Sequence, residues 1–414
     1  LIQAWGIETF GVWILLTAIP TYLSFSDFGF TFVAKNDMSM RVAGGDRVGA
    51  LETFQSIFVL LLLVATVLIV VLGGAVLLVP WDEIFNLGTQ TSDTARDVLL
   101  LQIVSALFYQ FMLLLSAGVR CEGRAALETS FAASARLLDA GAILATALLG
   151  GGLVDVAIAA LVMRLFSLSV LGIWLHVSTP WLVLGISRAS ITRIKEKMLP
   201  SLTYMMVPIS NALLIQAPVI ILGGVASPTV VALYAITRTV SRLGMSVANM
   251  VNYSFVPEYS FAQGRGDFPG FRSLLRLHLI LTGVGAITYM IVAPFVVPYG
   301  VALLSKGLVV PNFYLGLILV AAVSLEMIWS GLFSPTSALN AHRPVAVAFL
   351  VVSCGAIGLG SLMPTLYILA GSIGVAHGLV LIVSLITVIQ LYKGLRGAHL
   401  SARENGETAY ARCS

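Results

Sequence analysis

Charged residues are scarce in this sequence. Asp, Glu, Lys and Arg together make up 10% of the 414 residues, whereas an ordinary soluble domain carries about 25%. Apolar residues account for 58% of the chain, and apolar runs of about 20 residues, the length that an α-helix needs to cross a bilayer, recur throughout it. The shortage of charge therefore excludes a soluble globular domain and predicts an all-α polytopic membrane protein.

Recognisable arrangements of catalytic or metal-binding residues are also missing. The three cysteines, Cys121, Cys354 and Cys413, are irregularly spaced and have no histidine partners, which argues against a disulfide framework and against a zinc site. The sequence has no Gly-rich phosphate loop with its lysine, no HExxH motif and no sizeable loop that could hold a nucleophile and a base. We therefore predict a protein that is not an enzyme and that needs no cofactor.

Apolar segments between charged or Gly/Pro-rich breaks predict about eleven membrane spans. In residue numbers, these spans lie near 10–34, 52–80, 98–119, 126–149, 154–176, 200–223, 228–257, 271–298, 312–335, 344–369 and 373–392.

Basic residues between the spans predict the orientation of the chain. They concentrate in alternate loops, and the opposite loops hold mainly acidic residues, so the basic side is predicted to be cytoplasmic. The C-terminus then lies in the cytoplasm of a bacterial inner-membrane protein, and the net charge of +4 reflects basic cytoplasmic loops rather than nucleic-acid binding. The basic loop residues are Lys35, Arg41, Arg47, Arg120, Arg124, Arg136, Arg188, Arg193, Lys195, Lys197, Arg265, Arg272, Arg276, Arg343, Lys393, Arg396, Arg403 and Arg412.

The chain contains an internal repeat. A shift of 221 positions, the offset from Trp13 to Tyr234, brings similar residues together in the same order in both halves. Two homologous halves are how many transporters build a central site between two lobes. The repeat also predicts a further span before Leu1, hence twelve spans in all and six in each lobe. The other residues matched at this offset are Asp37 with Glu258 and Gly45-Asp46 with Gly266-Asp267. The apolar span that follows ends in both halves in a Pro-aromatic pair after a closely similar length, Pro80-Trp81 and Pro298-Tyr299.

The repeat and the spans together predict the domain organisation. Residues 1–176 form an N-terminal lobe, 177–199 a cytoplasmic linker, 200–392 a C-terminal lobe and 393–414 a cytoplasmic tail. The linker carries apolar residues on one helical face and several cations. It is therefore either an amphipathic helix at the membrane interface or a basic loop that obeys the topology rule.

Two arginines stand out because they fall deep inside a predicted span. Arg238 and Arg242 lie roughly 15 to 21 Å into it, and their i, i+4 spacing places them on one helical face. Arginine binds phosphate oxygens in bidentate fashion, so a cavity that receives a diphosphate would account for both. The structural alternative is that they pair with Glu258 or Glu326, or that Arg242 reaches the interface.

Other charged residues inside or near the spans are further candidates, because burial of a charge in a membrane is costly. Arg164 lies in the middle of its span and is a candidate for the cavity. Glu326, the only acid in its span, is a candidate partner of Arg238 or a proton-coupling carboxylate. His278 is predicted to be interfacial. The candidates for gating or ion coupling are Asp27, Lys35, Asp37, Arg136, Glu258 and Glu326. For Asp27, Lys35 and Asp37 the alternative is a structural ion pair, and for Arg136 it is a local pair with Asp139.

Two stretches resemble a known family. Residues 6–46, GIETFGVWILLTAIPTYLSFSDFGFTFVAKNDMSMRVAGGD, and residues 228–267, PTVVALYAITRTVSRLGMSVANMVNYSFVPEYSFAQGRGD, are similar to the openings of the two lobes of the polysaccharide transporters, the O-unit flippases. The resemblance implies two six-helix bundles in a V, as in multidrug exporters of the MATE type, with alternating access to a cationic cavity. It places Arg238 and Arg242 in the eighth helix of the family, where cationic residues meet the lipid diphosphate, and Arg164 and Asp27 fit less closely. The resemblance, like the repeat, implies that the first family helix would precede Leu1.

The resemblance leads to one main hypothesis and two alternatives. The main hypothesis is a flippase for a polyprenyl diphosphate-linked oligosaccharide, in the synthesis of a surface polysaccharide such as the O-antigen of lipopolysaccharide. It implies H+ or Na+ as a coupling ion, and a polysaccharide polymerase and a chain-length regulator as partners. The first alternative is a cation-coupled multidrug exporter that uses Glu326 and Asp27 as its carboxylates. The second is a membrane enzyme, which the short outer loops disfavour.

Overall fold

The chain is a helical membrane protein in the computed structural model, which describes residues 27–81, 90–307 and 309–404 and positions 1, 4–6, 9–10, 12–13, 16–17 and 23. Regular structure from residue 27 onward, within the described part, is entirely helical. We number these helices α1 to α12. They are α1 (Phe30–Ala43), α2 (Arg47–Leu78), α3 (Ser92–Cys121), α4 (Ala125–Leu148), α5 (Leu153–Ser178), α6 (Ile191–Val225), α7 (Pro228–Ser241), α8 (Leu243–Gly264), α9 (Phe268–Leu304), α10 (Phe313–Ala338), α11 (Arg343–Leu362) and α12 (Leu366–Glu404).

Nine of the helices within the described residues are long and apolar enough to cross a membrane, namely α2 to α6 and α9 to α12. They correspond to nine of the predicted spans. The predicted span near 10–34 lies largely outside the described residues, which resume at Asp27 and then form α1. The predicted span 228–257 is not one continuous helix, because it is interrupted at Arg242 and forms the separate helices α7 and α8.

The residues divide into two compact units, Leu1–Ser201 and Leu202–Ser414. The segment predicted as a linker has two parts in the structure. Residues 179–190 are non-helical, whereas Ile191 begins α6, which continues to Val225. The span predicted near 200–223 therefore starts about two turns before Pro200, and the basic residues Arg193 and Lys197 lie on its first turns.

The repeated Gly-Asp turns have the same backbone structure in both units. Gly45 and Gly266 adopt positive φ values of 84° and 64°, which glycine tolerates without a steric penalty. Asp46 caps α2 by accepting a hydrogen bond from the Gly49 amide at 2.8 Å, and Asp267 caps α9 by accepting one from the Gly270 amide at 2.8 Å. The sequence repeat is thus a structural repeat at these helix starts.

Each unit has a central helix. In the first unit, α3 packs against α1, α2 and α5, and half of the residues in its most apolar stretch are buried. In the second unit, α10 packs against α7, α8, α9 and α12, and 67% of the residues in its most apolar stretch are buried. Glu326 lies on α10 and is buried, so its charge is held inside protein rather than in lipid.

Candidate functional site

A small cavity lies inside the second unit, between α6, α7, α10 and α12. Its volume is about 20 Å³, which is room for about one water molecule. Both arginines singled out from the sequence, Arg238 and Arg242, line it together with Glu326. The remaining lining residues are Leu214, Ile215, Ser241, Leu319, Ala322, Val323, Ile373 and His377.

Arg242 and Glu326 form a bidentate ion pair at this cavity. Arg242 Nη1 donates to Glu326 Oε2 at 2.7 Å, and Arg242 Nη2 donates to Glu326 Oε1 at 3.0 Å. The Glu326 side chain is only 4% exposed. The sequence analysis offered Glu326 as a partner of either arginine; the pair with Arg242 is confirmed and the pair with Arg238 is wrong, because both hydrogen bonds come from Arg242. Planar two-point pairing of this kind is the strongest form of an arginine–carboxylate contact.

Arg238 has a different environment. Its Nη1 donates to the backbone carbonyl of Ile215 on α6. No carboxylate lies within ion-pairing distance of its guanidinium among the residues that the structure describes. The cavity therefore contains two permanent cations and one carboxylate, so its fixed charge is positive.

The break between α7 and α8 positions Arg242. At the break, the Met245 amide bonds to the Arg242 carbonyl at 3.0 Å, so the Ser241 carbonyl is available for another donor. The Tyr289 hydroxyl on α9 donates to that carbonyl at 2.6 Å. Gly244 lets the chain approach α9, because a Cβ at this position would lie 2.6 Å from the Tyr289 ring. A sequence pattern alone gives no sign of this tertiary hydrogen bond.

His377 is a cavity residue that the sequence analysis did not select. Its Nε2 lies 3.6 Å from Glu326 Oε2, and its side chain is 1% exposed. Its Nδ1 accepts a hydrogen bond from the Trp329 indole N–H at 3.0 Å. Because that indole is only a donor, the neutral imidazole carries its proton on Nε2, which faces Glu326. An ionisable side chain within an apolar span was the signal that could have found it.

Arg164 lies in the first unit and is paired. Its Nη2 is 2.8 Å from Asp139 Oδ2 on α4, and its guanidinium stacks 4.9 Å from the centre of the Tyr109 ring. The predicted local pair of Arg136 with Asp139 is therefore wrong, because Asp139 pairs across helices with Arg164. The Arg136 side chain is exposed on the protein surface. The spacing of residues on α4 could not reveal this pair, because Arg164 lies on the neighbouring helix α5.

Lys35 and Asp37 on α1 are ion-paired, but not with each other. Lys35 Nζ is 2.5 Å from Glu128 on α4, which also binds Arg120 at 2.5 Å. Asp37 binds Lys197 on α6 at 2.5 Å. The sequence analysis did not predict Glu128 or Lys197 as ion-pair partners, because each lies far from α1 in the sequence.

Asp27 has a local structural role, and it does not pair directly with Lys35 as the sequence suggested. Its carboxylate accepts hydrogen bonds from the Gly29 amide at 3.2 Å, from the Thr31 amide at 3.1 Å and from the Thr31 hydroxyl. It thereby satisfies two backbone amides at the start of α1, whose N-cap residue is Gly29. The proposed gating roles of Asp27, Lys35 and Asp37 stay predictions.

Two candidates of the second unit lie elsewhere than the sequence analysis expected. Glu258 is exposed on α8 and does not line the cavity. His278, expected at the membrane interface, is fully buried, where its ring accepts or donates hydrogen bonds with Tyr259 at 3.1 Å and with Asn252 at 2.9 Å. No cluster of three or more metal-binding side chains occurs in the part of the chain that the structure describes.

The architecture is shared with solved transporter structures. A MATE structure in the bent conformation superposes with a TM-score of 0.76 at 14% identity, covering 96% of this chain and 91% of that one. The chain has the MATE transporter fold. An outward-facing multidrug resistance MATE family transporter of the MOP superfamily gives a TM-score of 0.70 at 16% identity, with 95% and 90% of the two chains covered.

A third structural match belongs to the same superfamily. It is a MOP superfamily transporter from Pyrococcus furiosus, with a TM-score of 0.64 at 16% identity and coverage of 97% of this chain and 91% of that one. It is described by a reverse polarity of its binding pocket, which suggests a different function. No family model and no curated protein matches the sequence. The structural likeness and the nine apolar helices of the described part make this a multi-pass membrane protein of the MATE fold.

Proposed function

We propose that the protein transports a polyprenyl diphosphate-linked oligosaccharide from the cytoplasmic to the outer leaflet of a bacterial inner membrane, by alternating access. The observation that carries the proposal is Arg238, a guanidinium that lines the cavity and has no carboxylate partner among the described residues. A site with excess positive charge attracts an anion and repels a cation. A lipid diphosphate is an anion to which arginine binds with two parallel hydrogen bonds.

Arg242 is the second residue that would bind the diphosphate. It is held by Glu326 in this structure. A phosphate oxygen pair has the same two-point acceptor geometry as a carboxylate, so the substrate can replace Glu326 as the partner of Arg242. Glu326 then keeps Arg242 in place and compensates its charge whenever the substrate has left.

Substrate entry requires the cavity to widen, because about 20 Å³ holds about one water molecule and not a sugar diphosphate. The interruption of the helix at Arg242 is where we expect this movement. Its freed Ser241 carbonyl is held by a single tertiary hydrogen bond from Tyr289. Separation of α7 from α10 would open the site and break the Arg242–Glu326 pair in one step.

A second candidate function is a cation-coupled multidrug exporter of the same fold. The observation in its favour is Glu326, a buried carboxylate at the cavity, which could bind an organic cation. Reverse pocket polarity described for the P. furiosus transporter shows that members of this superfamily differ in this property. In the described part of the present site, cations outnumber carboxylates, so we favour the anionic substrate.

Further parts of the proposal rest on the sequence. Basic loops favour a cytoplasmic C-terminus. The coupling ion would be H+ or Na+, and a polysaccharide polymerase and a chain-length regulator would act on the flipped product in O-antigen synthesis. Lys35, Asp37, Glu128 and Lys197 would gate the first unit, because each buried pair must break if these helices separate.

Complementation of a strain that lacks its own O-unit flippase tests the proposal. The wild-type gene should restore surface glycan, and Arg238→Ala and Arg242→Ala should abolish it with protein levels unchanged. Arg276→Ala removes an exposed arginine of α9 and serves as the matched control, with full activity expected. Normal glycan in both cavity variants would contradict the proposed site.

Glu326→Gln separates the two candidate functions in the same strain. The amide retains the shape of the side chain but lacks its charge, which leaves Arg242 free for an anion. A flippase should therefore retain substrate binding, or bind more tightly, whereas a drug exporter should lose the extrusion of organic cations. Wild-type protein that lowers drug accumulation and restores no glycan would favour the exporter.

A further inference from the structure

Two buried hydroxyl groups beside the arginines have no assigned role. Ser241 is fully buried and lines the cavity, and Tyr234 is fully buried one helical turn before Arg238. Neither Ser241 Oγ nor the Tyr234 hydroxyl has a hydrogen-bond partner among the residues that the structure describes. A buried hydroxyl without a partner is costly, so each one in a folded protein calls for an explanation.

The hydroxyls and the arginines lie on one stripe of α7. Positions 234, 238 and 241, with Arg242 at the end of the helix, follow the i, i+3 and i+4 spacing that brings side chains to one face. The Tyr234 phenol lies within electrostatic range of both the Arg238 and the Arg242 guanidinium groups. Arg238, Ser241 and Arg242 line the cavity, and Tyr234 lies one helical turn away from Arg238 on the same face of α7.

Comparison within the second unit shows that an unpartnered tyrosine is not a general property of its core. Tyr259 is also fully buried, but its hydroxyl bonds to His278 at 3.1 Å. Tyr289 donates to the Ser241 carbonyl at 2.6 Å. The first unit has Trp13 at the position that the repeat pairs with Tyr234, so the hydroxyl is specific to the half that carries the arginines.

We propose that Tyr234 and Ser241 are positioning residues for a phosphate group, each donating its hydroxyl hydrogen bond to a phosphate oxygen that Arg238 and Arg242 neutralise. This inference rests on the proposed function and extends it, because it assigns the recognition of the anion to neutral donors as well as to charge. Neutral hydroxyls select for acceptor oxygens at fixed positions, whereas guanidinium groups attract any anion that fits. The phosphate could belong to a lipid-linked sugar diphosphate or be free inorganic phosphate.

Binding measurements with purified protein in nanodiscs test this assignment. The probes are a short-chain prenyl diphosphate N-acetylglucosamine, inorganic phosphate and chloride. Tyr234→Phe and Ser241→Ala should each weaken binding of the prenyl diphosphate sugar about tenfold or more, because a hydrogen bond to a charged group is lost. Tyr259→Phe is the matched control, with an unchanged affinity.

The melting temperature measured without any anion gives a second readout. Removal of a hydroxyl that has a structural partner should lower the melting temperature, whereas removal of an unpartnered hydroxyl should not. Tyr234→Phe should leave the melting temperature unchanged or raise it, since it removes an unpartnered buried hydroxyl. Tyr259→Phe should lower it, because His278 loses a partner. A Tyr234→Phe variant that melts as early as Tyr259→Phe would show that its hydroxyl is already bonded, for instance to a buried water, and would overturn the inference.

The probes separate this inference from the proposed function. If wild-type protein binds the prenyl diphosphate sugar and both hydroxyl variants bind it equally well, the inference is wrong and the flippase proposal stands. If only inorganic phosphate binds, with the same loss in the variants, the hydroxyl assignment stands and the lipid substrate is wrong. Binding of chloride alone, or of no probe, contradicts both.

Discussion

The Gly45-Asp46 turn and the Gly266-Asp267 turn have the same backbone but different side-chain surroundings. In the first unit, Arg41 binds Asp37 at 2.9 Å and Asp46 at 2.7 Å, so the turn is tied to α1 by charge. In the second unit the repeat places Ala262 at the position of Arg41 and the exposed Glu258 at that of Asp37. The second turn therefore has its cap but not the ionic link.

The two units also differ in their buried polar clusters, which are here called layers. In the first unit, Glu128 binds Lys35 and Arg120, each at 2.5 Å. In the second unit, His278 bonds to Tyr259 and Asn252 and stacks 4.3 Å from Phe255, so this layer contains neutral hydrogen bonds and aromatic contacts. A glycine at positive φ and an aspartate cap are enough to specify the turn, and the residues around it can be ionic or neutral.

The largest expected effect is the loss of the central carboxylate in the ionic layer. Glu128→Gln leaves Lys35 and Arg120, which are 12% and 14% exposed, as neighbouring cations without a counter-charge. We expect a loss of about 3 kcal/mol in the free energy of unfolding, measured in mixed detergent micelles. The double variant Glu128→Gln with Lys35→Gln should recover part of this loss, and a single-variant cost below about 1 kcal/mol would contradict the ionic description.

The matching change in the neutral layer should cost less. His278→Gln retains one hydrogen bond at most, so Tyr259 or Asn252 loses its partner. We expect a loss of about 2 kcal/mol in the same unfolding assay. Since no buried charge becomes uncompensated, a cost equal to that of Glu128→Gln would show that the two layers do not differ in the way proposed.

The smallest effect compares the turns directly. A Cβ at Gly49 would lie 2.2 Å from the Asp46 carboxylate and 2.5 Å from Arg41, whereas a Cβ at Gly270 would meet only the Asp267 carboxylate, at 2.1 Å. Gly49→Ala and Gly270→Ala both disturb a helix cap and gain the same helix propensity. Gly49→Ala also disturbs an ion pair, so we expect it to be the more destabilising by about 0.5 kcal/mol.

Introducing Arg41→Ala into both glycine variants is the control for this comparison. Without Arg41 a Cβ at either glycine would meet only the capping aspartate, so the difference between the glycine variants in the unfolding assay should disappear. A difference that persists would place its origin elsewhere than in the Arg41–Asp46 contact.

Much of the fold could be predicted from the sequence. Nine helices of the described residues correspond to predicted spans, because a membrane requires about 20 consecutive apolar residues in helical form. The break at Arg242 was missed, since it depends on a hydrogen bond from Tyr289 and on the close approach of Gly244 to α9. The start of α6 at Ile191 was also missed, because basic residues at the beginning of a helix resemble a loop.

The candidate site was predicted only in part. Arg238, Arg242 and Glu326 were selected because a charge within an apolar span is costly unless it is partnered or functional, and all three line one cavity. For both arginines the sequence offered Glu258 or Glu326 as partner and could not decide between them. Glu326 pairs with Arg242 and Asp139 with Arg164, across helices that lie far apart in the sequence.

The sequence by itself determined that this protein is helical, lies in a membrane, contains a repeat and carries cations deep within its spans. These properties depend on composition and periodicity, which local physical chemistry reads directly. Only the tertiary structure decided which charges neutralise one another, which helix is interrupted, and which buried hydroxyls have no partner. Those outcomes depend on distances between residues that are remote in the chain, and such distances are set by helix packing, on which the spacing of residues within one helix carries no information.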